Sequence, residues 1–488
     1  MEAATAPSGS EPLTATWSDP KRYLWLLGLI VPIIPFIAWA LVEITGLGVF
    51  WWFGPFLVFA VIPFLDFVIG KDAENPPDSA IKWLEQDKYY RWCTYLFLPL
   101  QFGSLIFACA WWASGDLSLV ESLGLAFSVA MVAGIAINTA HELGHKTKNG
   151  ERWLSKIALA QSGYGHFFIE HNRGHHVRVA TPEDPASSRL GESFWAFLPR
   201  TVSGSLTSAI HLEKVRLGRS DKGFWTIHND VLNAWAMTVA LFAGLCLVFG
   251  IEVLPWLIVQ AVVGFSLLEV VNYLEHYGLR RQWDEEKGRY ELCRPEHSWN
   301  SNNIASNVFL YHLQRHSDHH ANPVRRYQAL RHFDEVPELP SGYATMIVLA
   351  YATPVWRRVM DPKVVAHYEG DLSLANVQPR KRDKLIAKWG EHASVAKGGS
   401  PAPNGEIAIG QPEVVQDRSD DEGTTDATAH RCPGCGYTYA EAAGAPREGF
   451  PAGTPWAEVP ADWNCPDCGV REASDFEAVA DGKVEAGA

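Results

Sequence analysis

Six stretches of this chain are too long and too apolar to sit in water or inside one soluble core. They run from Tyr23 to Ile44, Leu47 to Ile69, Arg91 to Ala113, Leu119 to Ala140, Val231 to Phe249 and Leu254 to Leu274. About 18 or more apolar residues suffice for a helix to cross the hydrocarbon layer of a bilayer. A helix is the form that lets such a segment satisfy its backbone within itself. The expected fold is therefore an all-α bundle of six transmembrane helices in a lipid bilayer. The near-zero mean hydropathy of −0.06 conceals this, because a polar C-terminal third and long His-rich loops dilute the average.

Charge orients the bundle. Lys21 and Arg22 precede the first stretch, and Lys71, Lys82, Lys88 and Arg91 lie between the second and third. The connections Thr45-Gly46, Ser114 to Ser118 and Gly250 to Val253 hold no Lys or Arg. Positive loops stay inside. Both termini and the loops after the second and fourth stretches are thus expected on the cytoplasmic side of a bacterial-type inner membrane. The first twenty residues are polar, with neither a basic start nor a cleavage site, so a disordered N-terminus (1–20) and an uncleaved first anchor are expected.

Four histidine clusters fall on that same side: HELGH (His141, His145), EHNRGHH (His171, His175, His176), NYLEHYGL (His276) and LQRHSDHH (His316, His319, His320). On a helix, positions three and four apart share a face, so the last cluster aims its imidazoles at one region. Nine candidate ligands exceed the four of a tetrahedral ion and suit two metals. Imidazole binds zinc, copper, iron and nickel alike and does not choose among them. His312, one turn before His316, is a further candidate ligand or supporting donor. Glu142, Glu170, Glu269, Glu275 and Asp318 stand beside the clusters, as carboxylates that orient ligand imidazoles or bind metal themselves. HELGH also satisfies the zinc-protease pattern with Glu142 as general base, a rival reading that leaves most of the histidines without a task. His166, His211, His228, His297, His332, His367, His392 and His430 stand singly and are read as non-ligands.

From 390 to 429 the composition turns to Gly, Pro, Ala, Ser and acidic residues, a flexible acidic linker. Beyond it stand CPGCGY and CPDCGV, whose Cys432, Cys435, Cys465 and Cys468 make a thiolate site for iron or zinc. Cys93, Cys109, Cys246 and Cys293 are scattered and read as core residues. Residues 390–488 carry 18 acidic and 6 basic side chains, against 37 and 35 in residues 1–389, so nearly all of the net −14 lies in this C-terminal part. Arg315, Arg325, Arg326 and Arg331, with Lys381 and Arg382, are the expected basic surface for it, unless they bind lipid phosphates or local carboxylates.

The cysteine segment, with Pro and Gly in both CxxC units and the stretch DWNCPDCG, resembles rubredoxin, whose single iron carries one electron; a structural zinc ribbon is the alternative. Residues Lys21 to Trp389, through HELGHK, EHNRGHH, NYLEHYGL and LQRHSDHHANPVRRYQALR, resemble the membrane-bound alkane 1-monooxygenase family. That resemblance implies two non-haem irons held by the nine histidines, a third iron on the four cysteines, and O2 and an n-alkane as substrates. It implies a hydroxylase domain over 21–389, a small β-rich rubredoxin domain over 430–478 fused to it, and a disordered tail over 479–488. The bare histidine spacings are shared with membrane desaturases and fatty-acyl hydroxylases, which remain the alternative.

An unactivated terminal C–H bond offers nothing to an acid, base or nucleophile, so a metal and O2 are needed. Two electrons are consumed per turnover and a rubredoxin iron stores one, which implies an NAD(P)H-dependent rubredoxin reductase as partner. Trp51, Trp52, Phe53, Phe56 and Val58 are the expected lining of a substrate channel entered from lipid. Nothing in the sequence points to nucleic acid.

Overall fold

Glycine turns and helix caps break the apolar sequence where the sequence pattern asks for it. In a computed structural model that describes residues 17–396 and 429–479, six helical spans cover Leu24–Thr45, Gly48–Ile69, Lys88–Ser114, Leu119–Gly144, Asp230–Phe249 and Ile251–Glu275. The first ends where Gly46 adopts φ +70°, and the third where Gly115 adopts φ +75°, a left-handed turn that suits glycine. Span 4 starts on a capping box: Ser118 accepts from the Glu121 amide, and the Glu121 carboxylate accepts from the Ser118 amide at 2.9 Å. Residues 1–16 of the expected polar terminus, 397–428 of the expected linker (390–429) and 480–488 of the expected tail (479–488) lie outside the described residues, whereas 390–396 of the linker continue the helix Arg382–Ala396.

Two compact units result. The first comprises residues 1–168, 231–275 and 294–349, and the second 169–230, 276–293 and 350–488. Within the first, span 4 is the central helix, with 78% of its apolar window buried against 17% for span 5. Small residues bring spans 4 and 6 together: a Cβ at Gly134 would stand 2.9 Å from the Gly264 carbonyl oxygen, and one at Gly264 would stand 2.9 Å from Ala133 Cβ. Such close approach is how helices gain packing energy where lipid removes the hydrophobic drive. Span 2 is irregular, opening as a 3-10 helix and widening into a π-helical stretch over Leu57–Val61.

Two short helices follow, Ile304–Phe309 and His316–Ala321, and the second carries the last histidine cluster. Between them Tyr311 and His312 turn the chain at φ +49° and +57°. Asp66, buried in span 2, anchors the first of these helices by accepting from the Ser306 amide (2.9 Å) and hydroxyl (2.6 Å). Asn300 receives the Ser317 amide at 2.9 Å and anchors the second.

The second unit contains the helix Phe194–Gly218, capped by Ser193, the hairpin Trp283–Asp284/Arg289–Tyr290 and the helix Thr353–His367. It also contains the cysteine module, whose three-stranded antiparallel sheet places Ala429–Arg431 between Thr438–Ala440 and Glu477–Val479. Tyr439, Phe450, Val459 and Trp463, joined by Trp456 and Phe476, form the module's own aromatic core.

Candidate metal centres

The first unit brings three histidines together at the end of span 4. His141 and His145 lie one helical turn apart, and His141 Nε2 is 2.7 Å from His319 Nε2. His319 also faces His145, with ring centroids 4.8 Å apart. All three offer a nitrogen within 4.8 Å of the others. Two bare imidazole nitrogens at 2.7 Å cannot both bear a proton; two lone pairs aimed at a shared cation resolve that contact.

The helix His316–Ala321 serves a second group as well. At about 100° per residue, His316 and His320 project within ~40° of each other, while His319 points ~100° away from His320. His316 Nε2 and His320 Nε2 accordingly meet at 2.8 Å, and Glu275 Oε2 stands 3.2 Å from His316 Nε2. One short helix thus supplies donors in two directions.

In the second unit the motif EHNRGHH folds differently from the α-helical spacing. His171–His175 is a π-helical stretch, so positions five apart share a face. His171 Nε2 and His176 Nε2 meet at 3.0 Å. His175 turns instead toward His276, their ring centroids 5.0 Å apart. Its Nδ1 is 2.9 Å from Asp184 Oδ2, which fixes the tautomer and leaves Nε2 as the metal-facing nitrogen. Against the cost of burial, His175 and Ser187 hold the Asp184 carboxyl below its usual range. Gly174 permits the tight turn: a Cβ there would come 2.5 Å from Glu170 Oε2.

The four cysteines close a separate site, with Cys432 Sγ 3.8 Å from Cys468 Sγ and Cys435 Sγ 3.5 Å from Cys465 Sγ. Metal–sulfur bonds of ~2.3 Å in a tetrahedron put sulfurs ~3.8 Å apart, so this donor set fits one iron. Gly436 and Gly469, both at positive φ, donate their amides to the carbonyls of Cys432 and Cys465 and shape the two knuckles.

Each of the nine histidines stands beside another imidazole of its own unit. His312 does not join them. Its Nδ1 bonds the Tyr327 carbonyl at 2.9 Å and its ring packs edge-on against Trp25 at 4.6 Å. The singly placed histidines with described side chains also lie outside the donor groups; His166, beside Tyr164, is pushed down to about 4 by burial.

The carboxylates divide by partner. Glu142 is paired with Lys146 at 3.1 Å, both buried, and so is no free general base of the protease kind. Asp318 is gripped by Arg325 at 2.7 and 2.8 Å and by the Arg331 amide, which fastens the loop behind the histidine helix. Glu269 accepts from the Tyr164 hydroxyl at 2.8 Å. Glu170 pairs with Arg178 at 2.9 Å, yet burial pushes its carboxyl up to about 8.

An apolar pocket lies within the first unit, lined by Val58, Ile62, Ile135, Leu267, Leu313 and Ala344 among others. Val58 alone of the expected channel residues lines it. Trp51 packs on Trp111 (5.3 Å) and Trp52 on Phe127 (5.4 Å), Phe53 joins the same apolar core, and Phe56 is exposed. The turn of span 2 presents positions 58 and 62 inward and carries the four aromatics elsewhere. The polar groups bordering the cavity are engaged: Asn138 donates to the Leu310 carbonyl and Ser306 to Asp66.

The expected basic surface is also corrected. Arg315 reaches the carbonyls of Leu330, Asp72 and Glu74, while Arg326 pairs with Glu151 and Arg331 with Asp78. With Arg325 on Asp318, these charges are spent on local partners. In the second unit the acidic module meets other arginines. Arg173 pairs with Glu448 (2.6 Å), Arg289 with Glu472 (2.8 Å) and Asp475 (2.9 Å), and Arg447 of the module with Asp230 (3.1 Å). Gly469 lies against the histidine turn, where a Cβ would come 2.7 Å from the Asn172 carbonyl oxygen and 3.5 Å from His176 Cβ. The signal for Arg173 was its place inside EHNRGHH; Arg289 had none.

Comparison with known proteins agrees with both sites. Residues 120–350 match the fatty acid desaturase family and residues 429–476 match rubredoxin. The alkane 1-monooxygenase of Acinetobacter baylyi is 48% identical over 380 residues, 76% of this chain and 92% of that protein. Alkane 1-monooxygenase 1 of Alcanivorax borkumensis is 44% identical over 80% of this chain and 96% of that protein. The alkane 1-monooxygenase of Ectopseudomonas oleovorans is 45% identical, with 76% and 92% covered.

Proposed function

Because this chain belongs to the alkane 1-monooxygenase family, we propose that it hydroxylates medium-chain n-alkanes at the terminal carbon, with O2 and with electrons from its own rubredoxin module. The balance is RH + O2 + 2 electrons + 2 protons giving ROH + H2O. Iron bound at the histidines supplies the chemistry that splits O2 and oxidises the C–H bond.

His141, His145, His171, His175, His176, His276, His316, His319 and His320 would hold two irons, since nine imidazoles exceed what one ion takes. Asp184 orients His175, and Asp318 and Asp66 hold the segment that bears His316, His319 and His320.

The observation that carries the substrate class is the cavity. Its lining is apolar and its few polar groups are already bonded within the protein, so it holds a hydrocarbon and offers no partner to a carboxylate. That favours an alkane over the fatty-acyl chain of a desaturase or fatty-acyl hydroxylase. Leu310 and Leu313 border the cavity three to six residues before His316, which ties substrate position to the ligand helix.

Electrons enter through the module. The ion pairs of Arg173 and Arg289 seat it, and Gly469, next to Cys468, packs on the turn that carries His176. A separate NAD(P)H-dependent reductase reloads the single module iron between the two electrons. The hydroxylase domain covers 21–389 and the rubredoxin 430–478, joined by the linker 390–429, with the metal sites on the cytoplasmic face of the inner membrane.

The test is metal analysis and visible absorption of the full-length protein, then NADH-driven turnover of octane with a reductase. Three irons per chain, a red ferric-thiolate spectrum and 1-octanol support the proposal. Zinc without colour overturns it, and unsaturated or acyl products move the substrate to the alternative.

A further inference from the structure

Among the described residues, Glu275 is a buried carboxylate without a cationic side chain beside it. Glu142 has Lys146, Glu151 has Arg326, Asp318 has Arg325 and Glu170 has Arg178. Glu275 is 1% exposed, no Lys or Arg among the described residues pairs with it, and its Oε1 accepts no hydrogen bond. Its polar neighbours are the Tyr343 hydroxyl and His316. A buried, unpaired carboxylate is costly enough that a counter-charge is expected.

The geometry says where that charge belongs. His316 Nε2 is 2.8 Å from His320 Nε2 and 3.2 Å from Glu275 Oε2. His316 Nε2 is thus flanked by a second imidazole nitrogen and by a carboxylate oxygen, each at about the spacing of neighbouring ligands on one ion. A proton on His316 Nε2 would satisfy Glu275 but would remove His316 from the ligand set. A cation satisfies all three donors together. Carboxylate oxygen and imidazole nitrogen are both accepted donors for iron.

We infer that Glu275 is a metal ligand, its Oε2 binding the same ion as His316 and His320. This rests on the two-iron reading above and extends it. The iron held by His316 and His320 gains an anionic donor, while the other iron keeps neutral imidazoles only. The two irons are then electronically unlike, and the carboxylate favours the ferric state of its own ion.

The experiment compares full-length wild type, Glu275→Gln and Glu275→Asp, enriched in ⁵⁷Fe, by iron content and Mössbauer spectroscopy, with gel filtration and the rubredoxin band reporting the fold. Wild type is expected to show two distinct doublets besides the rubredoxin iron. Glu275→Gln, which keeps shape but loses charge, should weaken one histidine-held iron by at least about 100-fold and leave the rubredoxin iron in place. Glu275→Asp should retain that iron better than Gln, with a shifted doublet. A Gln variant that holds three irons with wild-type doublets overturns the inference and leaves the two-iron reading standing. If Gln does not fold, an Asp variant with unchanged doublets does the same. Wild type with iron at the cysteines alone overturns the two-iron reading itself.

Discussion

The cysteine site and the histidine sites are built on opposite plans. Cys432 and Cys468, the outer members of the cysteine set, are 36 residues apart, and the module between them carries its own sheet and aromatic core. His141 and His319 are 178 residues apart and meet through helix packing, glycine contacts and buried polar anchors. A local site survives damage elsewhere, whereas a distributed one depends on everything that positions it.

Ligand deletions test this contrast most severely. His319→Ala should reduce alkane hydroxylation by at least 1,000-fold, on the order expected when a redox metal centre is lost, while the red rubredoxin absorption persists. Cys465→Ser should do the reverse in spectroscopy, abolishing the colour but leaving iron at the histidines. Its hydroxylation should return when a separate rubredoxin is supplied. If His319→Ala also bleaches the module, the two sites are not independent.

Removing an anchor tests how far the distributed site leans on its surroundings. Asp318→Ala strips the buried partner of Arg325 and should destabilise the protein by about 3–5 kcal/mol. Thermal unfolding in detergent would register this as loss of the histidine-held iron at a temperature where the module's absorption is unchanged. Equal loss at both sites would break the contrast.

The docking charges should matter less. Arg289→Glu opposes Glu472 and Asp475, and since exposed pairs are each worth about 0.2–1 kcal/mol, turnover should fall about three- to tenfold. Combining it with Glu472→Arg and Asp475→Arg should recover most of the loss, and added salt should shrink the difference. The smallest effect is one of selectivity. Ala344→Phe narrows the apolar cavity and should favour short over long alkanes by about tenfold, read as the product ratio from mixed octane and dodecane.

Much of this was legible from residue order. The six spans differ from the apolar runs by a few residues at most, because lipid leaves a helix as the form available. The H-x-x-H-H spacing of residues 316–320 suggested one shared region for all three imidazoles, whereas His316 and His320 meet each other and His319 turns to His141. The pairing of His171 with His176 was not legible, since it depends on a π-helical stretch that Gly174 and the Glu170 carboxylate share. Nor was the cavity lining, because the irregular turn of span 2 decides which of its side chains face inward. The expected docking arginines failed for a related reason: a buried guanidinium takes the nearest carbonyl or carboxylate, and tertiary contacts decide which one that is.

By itself the sequence determined the membrane bundle, the nine imidazoles and the four thiolates, because composition and short spacings carry those choices locally; iron entered only through the resemblance to the alkane 1-monooxygenases and rubredoxin. Tertiary structure alone decided which imidazoles meet, which carboxylates are neutralised by arginine or lysine and which, as at Glu275, is left facing a ligand pair. Those outcomes depend on distances between residues far apart in the chain, and only packing sets such distances.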